Sequence, residues 1–95
     1  MTDASFYETL VTRHVERLRT AYAGEKVQRV LALAAIEPDG ARLRPLGFRA
    51  FDEDVALAYK RAVRDVLGTA AYQFAKVNFM LAGCRCADCR AAGPE

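Results

Sequence analysis

Cys84, Cys86 and Cys89 place every sulfhydryl of this 95-residue chain inside the run Cys84-Arg85-Cys86-Ala87-Asp88-Cys89. Thiolates at that spacing are soft metal ligands. Cys-x-Cys sets two sulfurs at adjacent extended positions, and Cys-x-x-Cys lets two converge on one ion across a tight turn, so three of four tetrahedral positions are filled. Such a donor set selects zinc, copper(I) or an iron–sulfur cluster over magnesium or calcium. The fourth donor is open, with His14, Asp88, water, a small thiol and a residue of a second chain as alternatives. Arg85 and Arg90 beside the sulfurs favour the thiolate form, which serves metal binding and nucleophilic attack equally. The alternative chemistry is therefore thiol–disulfide exchange, in which Cys86 and Cys89 form a reversible disulfide and Cys84 resolves it.

His14, the only histidine, completes the set of candidate metal ligands with Cys84, Cys86 and Cys89. Its neutral ring can accept a metal or a proton. It lies on an apolar helical stripe, however, where the simplest reading is a core histidine with one hydrogen-bonded neighbour. No Ser-His-Asp or metalloprotease spacing is present. Asp52, Glu53 and Asp54 read as helix-start acids rather than a general acid and base, so an enzyme is not expected. Arg42, Arg44 and Arg49, with Arg13, Arg17 and Arg19, are a potential basic face. There is no Gly-rich phosphate loop, and the net charge is only +2, which makes a nucleic-acid partner an unfavoured reading.

A chain of this length buries about 65% of its unfolded surface, enough for one modest core without staples. Its 53% hydrophobic and 27% charged residues are those of an ordinary globular domain, neither disordered nor a disulfide scaffold. No run of about 18 apolar residues exists to cross a membrane. The opening MTDASFYETL carries Asp3 and Glu8 where a signal segment needs positive charge followed by a hydrophobic run, so a cytoplasmic protein with no membrane association is expected. In a reducing compartment an odd cysteine count points to metal or reactive-thiol chemistry rather than structural disulfides.

The elements that must position the sulfurs are mainly helical. Over 5–23, Tyr7, Leu10, Val11, His14, Val15, Leu18 and Tyr22 share one stripe; Ser5 and Glu8 are spaced as a capping box, and Gly24 is placed to end the helix in a left-handed conformation. Residues 27–36 fit either period. The Glu37-Pro38-Asp39-Gly40 turn signal favours a hairpin of strands 27–36 and 41–50, with Pro45 and Gly47 restricting the second to an edge. Asp52 caps a third segment whose inward face is Val55, Tyr59, Ala62, Val63 and Val66, with Lys60, Arg61 and Arg64 outward and Arg61 paired to Asp65. After Gly68, Thr69 caps a last helix to about residue 82. Its apolar surface covers more than half the circumference, which predicts a homo-oligomer or a protein partner at that helix. The expected fold class is α+β, mainly α: helix, β-hairpin, helix, helix, with a four-helix all-α domain as the alternative. The single globular domain spans 1–83, and 84–95 is a cysteine-rich C-terminal tail.

The layout of a folded body, then Met80-Leu81-Ala82-Gly83, then a short cysteine-rich tail resembles the precursors of modified peptides, in which a leader ending in small residues precedes a core processed by a partner enzyme. The resemblance covers the last sixteen residues and is one of organisation. Leu81-Ala82-Gly83-Cys84 also imitates a lipoprotein cleavage box, which acts only at the end of an N-terminal signal segment. The function expected from the sequence is a small soft-metal-binding module for handling, sensing or assembly. A precursor or adaptor with a recognised tail and a thiol–disulfide redox protein are the alternatives.

Overall fold

A computed structural model of the chain describes residues 4–40, 42–47 and 49–92. The order is α1 (Ala4–Ala21), α2 (Gly24–Leu33), a hairpin of β1 (Ile36–Asp39) and β2 (Arg42–Pro45), α3 (Glu53–Leu67), α4 (Thr69–Leu81) and the short α5 (Ala87–Ala92). The mainly helical class with one hairpin agrees with the sequence reading. The hairpin, however, is shorter and later than strands 27–36 and 41–50. Residues 27–33 are helical, because Val27, Val30, Leu31 and Ala34 keep helical spacing and all four are buried. Gly24 opens α2 instead of closing α1 in a left-handed conformation, following Ala23 in extended backbone. Positions 41 and 48 of the expected second strand, and 93–95 of the expected tail, lie outside the described residues.

The hairpin pairs Ile36 with Pro45 and Asp39 with Arg42, which moves the reversal to Gly40, where φ is +65° and glycine carries no side-chain penalty. Pro38 and Pro45 are accommodated because a two-stranded sheet is all edge. Ile36 and Leu43 face the core. On the outside, Arg42 makes two hydrogen bonds of 2.9 Å to Glu8 on α1. Glu8 is thus engaged across the fold rather than in a capping box, and Ser5 is already inside the helix.

α3 is the central helix, packing against α1, α2, α4 and α5. Asp52 caps it as expected, its Oδ1 accepting from the amides of Asp54 at 3.0 Å and Val55 at 3.2 Å. α4 has no side-chain cap: Gly68, at φ +103°, precedes Thr69. It buries Tyr72, Ala75 and Phe79, and leaves Phe74, Val77 and Leu81 exposed at 56%, 45% and 80%. No helix among the described residues is long and apolar enough to cross a membrane.

Removing the α3 cap tests this account of where the helix starts. Asp52→Ala is expected to cost about 1 kcal/mol, a fall of about 4–8 °C in Tm for a domain of this size. Thermal unfolding followed by circular dichroism reads it, and an unchanged Tm would contradict the capping role.

Candidate metal centre

Helix α4 ends in a reversal that aims the cysteines inward. Gly83 is left-handed at φ +102°; its amide donates to the Met80 carbonyl at 3.1 Å and the Cys84 amide to the Phe79 carbonyl at 2.9 Å. This is the double bond pattern of a Schellman ending, and it satisfies carbonyls that the last helical turn would otherwise orphan. The chain then runs back across α3. The Arg85 amide donates to the Tyr7 hydroxyl at 3.3 Å, and α5 is tied down through Asp88. That carboxylate accepts from Arg61 Nη2 at 3.1 Å and from the Tyr72 hydroxyl at 2.8 Å. Arg61 therefore pairs with Asp88 on α5 and not with Asp65, which is reached by Arg64 instead. The Arg61 guanidinium holds the Asp88 carboxyl below its usual range.

As a result Cys84, Cys86 and Cys89 are 6%, 1% and 2% exposed and belong to the same core as α1, α2 and α3. All three are free thiols, with their sulfurs within 4.8 Å of one another. Three buried soft donors, Cys84 and Cys86 from the connecting segment and Cys89 from α5, converge at one point and fit a thiolate-bound metal ion by donor chemistry.

Lys60 of α3 enters the same space. The helical pattern places its side chain on the solvent face, yet the residue is 0% exposed. Nζ donates to Cys86 Sγ at 2.7 Å and Cys89 Sγ at 2.9 Å, and lies 3.9 Å from Cys84 Sγ. The Phe79 ring centroid is 5.2 Å from Nζ, adding a cation–π contact. Burial alone would lower the Lys60 pKa, but the hydrogen bonds to Cys86 and Cys89 outweigh it and the net shift is upward. For Cys86, burial acts to raise the thiol, and the contacts from Lys60 and the Cys89 backbone more than offset it, so its pKa is lowered. Cys84, further from the ammonium, is pushed up to about 12 by burial. A signal for Lys60 existed in the sequence: Ala56, Lys60 and Val63 share a helical stripe, and a lysine on such a stripe requires a partner when buried.

The structure does not bring His14 into this group. His14 Nδ1 and the Tyr59 hydroxyl share a 2.6 Å hydrogen bond, and the His14 ring meets Phe79 edge-on at 5.8 Å. It is the partnered core histidine of the simpler reading. The arginines of the potential basic face are largely engaged: Arg42 by Glu8, Arg44 by Glu37, Arg49 by the Ala34 carbonyl, and Arg17 stacked over Phe74. No family model, curated protein or solved structure matches the chain.

Burial, with a smaller contribution from Arg17, lowers the His14 pKa from 6.5 to about 4. The unfolded chain then binds the extra proton between those values, so stability contributed by the neutral ring is complete above pH 6.5 and lost as pH falls towards 4. The slope is at most about 1.4 kcal/mol per pH unit. His14→Gln keeps a hydrogen-bonding side chain without a titration, and its Tm is expected to fall less steeply than wild type over this window. Parallel pH curves would contradict the assignment.

Proposed function

We propose that this protein is a soft-metal-binding module in which Cys84, Cys86 and Cys89 hold one ion of the zinc class. The observation that carries the reading is the convergence of three buried sulfurs from a segment whose only regular structure is the short α5. Returned across α3, the segment brings all three sulfurs into the core at one point, which is the arrangement a shared soft cation needs. The module is a binding protein rather than a catalyst and works in the cytoplasm, where its thiols stay reduced. If it assembles with a second copy or a protein partner, the exposed Phe74, Val77 and Leu81 of α4 are the surface it offers.

A redox reading is second, and the lowered Cys86 thiol beside Lys60 favours it, since the thiolate is the attacking species. Burial weighs against modification of the segment by a partner enzyme, which would meet the sulfurs only after residues 84–92 unpack from α3 and α4.

Protein purified under reducing conditions is expected to carry one metal ion per chain by native mass spectrometry and elemental analysis. Zinc at a hundredfold excess over its Kd should add about 2.7 kcal/mol of stability, a Tm rise of about 10 °C or more. Replacing Cys84, Cys86 and Cys89 together with serine should abolish both effects. A wild-type chain with no stoichiometric metal and no response to zinc would sink the proposal, and loss of two hydrogens in a Cys86–Cys89 disulfide would favour the redox alternative.

A further inference from the structure

Three cysteines leave a tetrahedral ion one donor short. The side chains that the sequence offered for that place are committed elsewhere. Asp88 accepts from both Arg61 and Tyr72, and His14 Nδ1 is bonded to Tyr59. The group that reaches all three sulfurs is the Lys60 amine, 2.7, 2.9 and 3.9 Å away. It arrives from α3, across the pocket from the cysteine segment, and it forms no ion pair with a carboxylate among the described residues. A fully buried lysine whose polar partners are three metal-ligand sulfurs is positioned by the fold for those sulfurs.

Resting on the reading of the cysteines as a metal site, we propose that Lys60 is the fourth ligand, so that the chain alone supplies an NS3 donor set to a divalent ion of the zinc class. Without metal, the ammonium is the cation that the sulfurs surround. Metal entry exchanges one cation for another. The ammonium gives a proton to solvent, each thiol that ligates gives up its own, and the nitrogen lone pair and three sulfur lone pairs are donated to the ion. Nζ backs away from Cys86 and Cys89 along its flexible four-carbon stem as the ion takes the centre. A closed set of four protein donors leaves no position for water or substrate, which makes the site structural or storage-like instead of Lewis-acidic. It also spans α3 and the segment after α4, so loading would add to the Asp88 clamp that already holds α5 against the core.

The test is NMR on the full chain carrying nitrogen-labelled lysine, titrated with an NMR-active cadmium isotope. The expected result is one cadmium per chain and a one-bond cadmium–nitrogen splitting on the Nζ signal of Lys60, with Lys26 and Lys76 unsplit. Lys60→Met should lose the split signal and bind cadmium about tenfold more weakly or worse, since even an outer-shell partner is worth that much. One bound cadmium with an unsplit Lys60 signal would overturn the ligand assignment while leaving the cysteine site intact; the lysine would then be a counter-cation. No bound cadmium would overturn both. The splitting is read on wild-type protein, so it does not depend on the variant folding.

Discussion

A lysine ammonium buried in the middle of a small protein has to be compensated, and the structure is organised around that requirement. Removing such an ion from water costs on the order of several kcal/mol unless hydrogen bonds and opposite charge replace the lost hydration. At Lys60 the replacement comes from Cys86, Cys89 and, further off, Cys84, backed by the face of Phe79. The cysteine segment therefore belongs to the core, and α3, which carries Lys60, is the helix that every other helix touches. The converse also holds: the sulfurs would be inert buried thiols without a cation among them, as Cys84, furthest from Nζ, illustrates by its raised pKa.

Getting the segment back to α3 takes several local devices, each with its own cause. The left-handed Gly83 turns the chain at the end of α4, the Schellman bonds fix that turn, and Asp88 clamps α5 by charge and by the Tyr72 hydroxyl. Each uses a residue that would read as a surface feature in isolation. Together they deliver the sulfurs to one point, which connects the sequence spacing Cys-x-Cys-x-x-Cys to a soft-donor pocket. The ammonium of Lys60 already lies among the sulfurs, which gives the chain a reason to be folded at the site with no other cation present.

Much of this was legible in the sequence. Periodicity identified α1, α3 and α4, Asp52 was recognisable as a cap, and the cysteine spacing located the chemistry. What was not legible has specific causes. Residues 27–33 lack an N-cap side chain and are apolar in either period, so the turn signal at 37–40 drew them into a strand although burial of Val27, Val30 and Leu31 made them helix. Pro38 fits the second position of a turn by its fixed dihedral, yet in the fold it pairs with Leu43 inside a two-stranded ribbon, which accepts proline. Lys60 reads as an outward residue despite its place on the Ala56–Val63 stripe, because its partners lie 24 to 29 residues away and local patterning does not show them. Helical spacing pairs Arg61 with Asp65, whereas in the fold Asp88, 27 residues on, takes it for the same reason.

The central claim is that the three sulfurs sit together in the core around Lys60. Thiol alkylation measures this most directly, by comparing the rate for each cysteine in the native, reduced, metal-free chain with its rate in denaturant. The account predicts strong protection of Cys84, Cys86 and Cys89 in the native state, released in concert on unfolding. Modification of any of them in the folded chain at its unfolded rate would contradict it.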